Sequence, residues 1–325
     1  MQKFILLIIG LIVISIFTIT AVAITKSSNT LLSFSPTPTD SPTPTPTPQI
    51  ILEQPSTSKI LENDYHIFQT FNNCGPAALF MALSYYGINE TQQKLGQDLR
   101  PYQNPQGDND DKSVTLEELA EKSKEYDFVP YHRPNGNIEI IKLFITYDIP
   151  VIARTLTKLN EDIGHYRIIK GYDNTQGVLV QDDSLQGKNL TFSYDEFNLL
   201  WKRFSYEYLV LVPKEKVELA EAILQEDVDE KIAWQKAVQN SVNELLENPN
   251  DIYARFNLSV ALYKVRDYQR SVEEFEKVEN SLPFRTLWYQ IEPILAYYEL
   301  GNYDRVFEIT DKILKAFYTV YNVLG

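Results

Sequence analysis

The chain has one cysteine, Cys74, in 325 residues, and three histidines, His66, His132 and His165. A single cysteine excludes any intramolecular disulfide. Positive charge is short as well: 30 Lys and Arg against 44 Asp and Glu leave a net charge of −14, which speaks against a nucleic-acid surface. No phosphate-binding loop is present, because Gly187-Lys188 runs into Asn189 and lacks the upstream glycine, so ATP-driven export is not indicated. The acidic run Asp108-Asn109-Asp110-Asp111 lacks the spaced ligands and closing glutamate of a calcium loop and reads as a solvated loop. No cofactor and no metal are expected.

What is there begins with an uncharged apolar run over residues 4–24, between Lys3 and Lys26. It is long enough to span a bilayer, and it ends in Ala21-Val22-Ala23, which suits a signal-peptidase site. Residues 1–26 therefore read as a transmembrane anchor or a signal peptide. Either one predicts a single-pass protein of the cell membrane with its working part outside the cytoplasm, or a secreted one. Residues 27–59 follow as a linker, with proline alternating with threonine from Pro36 to Pro48, a pattern that favours an extended spacer. In an exported protein an unpaired cysteine points to a reactive thiol or an intermolecular bridge.

Residues 60–213 read as one mixed α and β domain. A helix is expected from 75 to 86, with Pro76 in its first turn and Gly87 just past its end. Thr115 and Glu118 have capping-box spacing for a helix reaching about Tyr126. Residues 138–147 and 194–204 read as helices, and 150–156, 165–171, 177–180 and 206–212 as strands, those from 165 onward antiparallel. From 217 to 325 only helices are expected. Tyr268 and Tyr303 are read into short turns between helices, and spacings near 34 residues suggest helix-turn-helix repeats. Leu258, Leu262, Tyr268, Phe275 and Pro283 fall on the large-residue positions of the tetratricopeptide pattern, so this part resembles that family. Ser259 and Ser271 depart from its small positions, and Pro293 interrupts the next first helix.

A cysteine at the head of a helix feels the positive end of the macrodipole, which favours thiolate. A thiol nucleophile needs an imidazole within reach, and that imidazole needs an orienting carboxylate or amide. His165 begins a strand, and the next strand ends in Asp182-Asp183; an antiparallel pair with its turn at 174–177 sets His165 beside one of the two aspartates. His66 lies too near Cys74 in sequence to project back onto it, and His132, beside Arg133-Pro134, reads as a loop residue.

Gln69 with Asn73-Cys74-Gly75-Pro76-Ala77, then Gly164-His165-Tyr166, Gly171-Tyr172-Asp173 and Val180-Gln181-Asp182, resembles the papain-like cysteine peptidases of bacteriocin-processing family 39, in their stand-alone, family-39-like form. The resemblance implies an α+β papain-like domain, with Cys74 as nucleophile, His165 as general base and acid, and Asp182 orienting the imidazole. Gln69 would complete the oxyanion hole with the Cys74 backbone N–H. Two departures bear on these roles. Gln69 stands five residues before Cys74 where six is more usual, so Asn72 and Asn73 compete with it. Asp183 stands where proline is common, so the two aspartates compete as well.

The expected function is a membrane-tethered or secreted cysteine peptidase acting on a peptide or protein substrate, with the helical repeats binding substrate or a partner protein. The alternative is a catalytically inactive peptide-binding or scaffolding protein that keeps the papain-like cleft. A third reading keeps Cys74 reactive but passes the acyl group to an amine.

Overall fold

A computed structural model describes residues 50–102 and 113–324, with side chains up to 315. The strand that organises the fold is β4 (Gly164–Asp173). Its Ile168, Ile169 and Tyr172 are fully buried, so both faces of the strand need cover. Seven strands among the described residues form one antiparallel sheet in the order β2 (Phe128–Arg133), β7 (Tyr208–Pro213), β3 (Val151–Leu156), β4, β5 (Val178–Asp183), β6 (Gly187–Ser193). β1 (Ser58–Ile60) continues the β3 side of β4 at its far end. Along β7, Leu209 and Leu211 belong to one core cluster and Val210 and Val212 to another, as the two-residue period of a strand requires.

On the first face lie α1 (Cys74–Ser84) and α3 (Leu116–Ser123). α1 is apolar and buried from Gly75 to Leu83. α3 carries the expected capping box, Thr115 with Glu118. α2 (Gln92–Leu99) follows α1. On the other face lie α4 (Ile138–Thr146), α5 (Tyr194–Lys202) and α6 (Val217–Leu224), with Trp201 fully buried. Gly136 is needed here, because a Cβ on it would sit 2.4 Å from the Trp201 ring.

Beyond α6 the chain is helical: α7 (Glu230–Glu247), α8 (Ile252–Lys264), α9 (Tyr268–Glu276), the single turn α10 (Thr286–Tyr289), α11 (Glu292–Glu299) and α12 (Tyr303–Leu324). Tyr268 and Tyr303 are not turn residues but open α9 and α12. The turns before them use Arg266 and Gly301 at positive φ. This helical part packs on the sheet part within one compact unit that begins at Ile50. Asn257 donates to the Lys202 carbonyl at 2.7 Å, and Arg285 pairs with Asp162 at 2.5 Å.

The expected membrane or secreted location is corrected: among the described residues no helix is long and apolar enough to cross a membrane. The run at 4–24, the proline-threonine spacer up to residue 48 and the acidic loop 108–111 lie outside the described residues.

Candidate active site

Cys74 is the first residue of α1 and is partly exposed. Its backbone N–H belongs to the first turn of the helix, where no intrahelical acceptor exists. The loop before it is fixed by two buried side chains that sequence reasoning missed. Gln92 accepts from the Thr70 N–H at 2.9 Å and donates to the Phe68 carbonyl at 2.8 Å. Arg100, fully buried, donates to Asn73 Oδ1 at 2.7 Å and to the Phe71 carbonyl at 3.3 Å. The other end of the Asn73 carboxamide donates to Thr70 Oγ1 at 2.7 Å. Asn73 is thereby committed to holding the loop, and Asn72 takes the left-handed backbone, φ 53°, that the turn requires.

Gln69 is tied to the turn after β5. Its N–H donates to the Ser184 carbonyl and its Oε1 accepts from Ser184 Oγ, both at 2.8 Å. The carboxamide is thus oriented by its oxygen, and Nε2 makes no hydrogen bond to a described residue.

His165 stands second on β4, 2% exposed, with Nε2 2.8 Å from Asp183 Oδ1. The Cys74 sulfur lies near enough to the ring to favour its protonated form, on top of the Asp183 carboxylate. Burial alone would lower the pKa of His165. The hydrogen bond to Asp183 and the nearby Cys74 sulfur outweigh it and push the value up to about 9. For Asp183, burial opposes ionisation, but the His165 hydrogen bond and the charges of His165 and Arg167 hold the carboxyl below its usual range. Asp183 is fully buried; it also accepts from the N–H groups of Leu185 at 2.7 Å and Gln186 at 2.8 Å, and pairs with Arg167 at 2.5 Å.

Asp182, the residue that the resemblance set beside the histidine, is elsewhere. Its carboxylate meets Lys170 at 2.9 Å and accepts from the Asn189 N–H at 2.8 Å and from the Tyr85 hydroxyl at 3.4 Å. Neighbouring residues of a strand point to opposite faces. The register sets Arg167 opposite Asp183 and Ile168 opposite Asp182, so Asp183 shares a face with His165 and Asp182 does not. Arg167 was also missed, although its spacing of two from His165 already put both on one face.

The other two histidines are not idle loop residues. His66 Nε2 lies 2.9 Å from the Asp183 carbonyl oxygen. His132 lies on β2, buried, 2.8 Å from the Glu207 carboxylate. Its strand escaped sequence reading because of Pro130 and Pro134. β2 is an edge strand, where a proline costs no ladder hydrogen bond. Among the described residues no group of His, Cys, Asp and Glu is arranged to hold a metal ion.

A thiol at a helix N-terminus, near an imidazole that a buried carboxylate holds, has the parts for covalent acyl chemistry. No curated protein matches the chain. Two of the solved structures that match it are a protein described as a C39-like peptidase from Bacillus anthracis and the peptidase domain of Streptococcus ComA, described as a bi-functional ABC transporter involved in a quorum-sensing pathway. The first is 18% identical with a TM-score of 0.43, covering 49% of this chain and 99% of its own. The second is 19% identical with a TM-score of 0.36, covering 48% of this chain and 98% of its own. The stretch that holds Gln69, Cys74, His165 and Asp183, residues 53–209, matches the model of the Peptidase_C39 like family, which supports a peptidase of the cysteine type.

Proposed function

We propose that the protein is a cysteine peptidase that cleaves peptide bonds through Cys74, His165 and Asp183. The observation that carries this reading is the buried His165 ring, 2.8 Å from the Asp183 carboxylate and near enough to the Cys74 sulfur at the head of α1 for the two to interact. The sulfur attacks the scissile carbonyl carbon. The oxyanion is met by the Cys74 N–H and by the unspent Nε2 of Gln69. His165, protonated when its partner is thiolate, gives its proton to the departing amine, and a thioester remains. Water, deprotonated by His165, then attacks the thioester, releasing the acid and restoring the thiol. Asp183 holds the ring in the orientation both transfers need.

The working division is a papain-like domain over 60–213 and tetratricopeptide-like helices over 217–325 that bind substrate or a partner protein. The hairpins α8–α9 and α11–α12, each with a short turn, support the second part. The test is the rate of Cys74 alkylation by iodoacetamide between pH 5 and 9, for the full chain and for His165→Ala. A fast phase below pH 7 that the variant loses is expected. Superimposable profiles would overturn the assignment and leave a peptide-binding role. Product analysis with an added amine then separates hydrolysis from acyl transfer.

A further inference from the structure

The helical part reaches the candidate site at Tyr289. Tyr289, the last residue of α10, lays its ring on Gly164, the residue immediately before His165: a Cβ built on Gly164 would stand 3.2 Å from Tyr289 Cδ2 and Cε2. A polypeptide that brings a carbonyl to Cys74 must reach the Gly164-His165 end of β4. The Tyr289 hydroxyl and the Cys74 sulfur are close enough to feel each other's charge.

The segment 283–290 is tied down at both ends. Arg285 pairs with Asp162 through its guanidinium at 2.5 Å and its backbone N–H at 3.2 Å. Arg154, buried on β3, donates to the Tyr289 carbonyl at 2.7 Å, and Phe204 packs edge-on to the Tyr289 ring. Between these ties the segment is weakly built. Its only helix is the four-residue α10. A groove of about 830 Å³, lined by Leu159, Ile163, Arg203, Tyr253 and Phe284 among others, runs beside its first residues, 283–285. Gln290, 2% exposed, leaves its buried Nε2 without an acceptor among the described residues, and Glu292 has a carboxylate oxygen in the same condition. Burial pushes the Glu292 carboxyl above its usual range. Orphaned buried polar groups make the closed arrangement costly, and the groove leaves space beside residues 283–285.

We propose that residues 283–290 form an autoinhibitory latch that holds Tyr289 against Gly164 and closes the Cys74 cleft to a polypeptide. The latch regulates the site read above as a peptidase and rests on that reading. It opens when the ties to Asp162 and Arg154 are released, for instance by a protein that binds the helical part.

The test compares two labels on the full chain: iodoacetamide, which reaches the partly exposed thiol directly, and a polyethylene-glycol maleimide of polypeptide girth, which needs an open cleft. With an open minor state populated at about 0.1–10%, Arg285→Ala and Tyr289→Ala should raise the bulky-label rate by about 10- to 1,000-fold, with the iodoacetamide rate changing less than about twofold. Arg285→Lys, which retains the pair, should resemble the wild type. An unchanged or lower ratio of bulky to small label in both alanine variants overturns the latch. Were Tyr289→Ala to unfold, seen as loss of its thermal transition, Arg285→Ala decides. His165→Ala keeps the two readings apart. If it leaves iodoacetamide labelling unaltered the peptidase assignment fails, whereas the label ratio still reports whether the cleft is covered.

Discussion

Replacing Asp183 by Asn, with Asp182→Asn as its partner experiment, separates what holds the fold from what sets the chemistry. Each aspartate is buried and paired with a buried cation, Arg167 for Asp183 and Lys170 for Asp182. Removing one member of a buried pair leaves the other charge uncompensated, at a cost of about 3–5 kcal/mol. Both variants should therefore lose similar stability in urea titrations. Only Asp183 touches His165. The distance from the ordinary histidine value of 6.5 to about 9 corresponds to about 3 kcal/mol favouring the imidazolium. Without the carboxylate, burial pulls the value down and only Cys74 still supports it. The protonated fraction near neutral pH then falls, and the iodoacetamide rate of Cys74 should fall about tenfold in Asp183→Asn and less than twofold in Asp182→Asn. Equal labelling rates in the two variants, or the larger loss in Asp182→Asn, would refute the role given to Asp183.

Gln69→Ala should lower peptide turnover by about 100- to 1,000-fold while leaving iodoacetamide labelling unchanged, since alkylation forms no oxyanion; a steady-state assay beside the labelling rate checks it. Gln92→Leu removes the two hydrogen bonds that Gln92 makes to Phe68 and Thr70 and should cost about 1–3 kcal/mol by chemical denaturation, with turnover reduced as the loop carrying Gln69 loosens. Gly164→Ala brings a Cβ to 3.0 Å from Phe204 and 3.2 Å from Tyr289, and should cost about 1–3 kcal/mol. In a Tyr289→Ala background that cost should shrink, which a double-mutant cycle measures. The raised His165 value also gives stability a pH signature. Its contribution is full below the unfolded pKa of 6.5 and disappears as pH rises through about 9, so thermal midpoints should decline across that window and His165→Ala should flatten the decline.

Local signals carried much of the fold. Pro76 and the apolar run after it define α1, and Thr115 with Glu118 starts α3 where the capping box is found. β2 stayed hidden because Pro130 argues against a strand unless the strand is known to be an edge, and edges are set by long-range pairing. The same holds for Gln92 and Arg100. Nothing in their own neighbourhood says that the loop before Cys74 folds onto them, so their role is visible only once α2 is packed.

The placement of Asp182 and Asp183 shows why a strand register can be legible to within one residue and no closer. Counting back from the turn, Asp173 pairs with Val178 and Gly171 with Val180. Continued without interruption, that register would set Asp182 opposite Ile169, on the face that His165 and Arg167 share with it. The register shifts between Ile169 and Gly171, so that Ile169 pairs with Gln181 and Arg167 with Asp183. One extra residue, Lys170, is absorbed there, and a one-residue slip transfers every later side chain of the partner strand to the opposite face. The residue that makes the slip also answers for it: the Lys170 ammonium takes up the carboxylate of Asp182 on the face where the bulge has left it. A hydrophobic pattern does not report a bulge in a strand buried on both faces. Gly171, the residue after the extra one, is where a Cβ would come within 2.7 Å of the Lys59 carbonyl of β1. The close passage of β1 and the irregularity in β4 thus occupy the same place, and it is that irregularity which brings Asp183 to the imidazole.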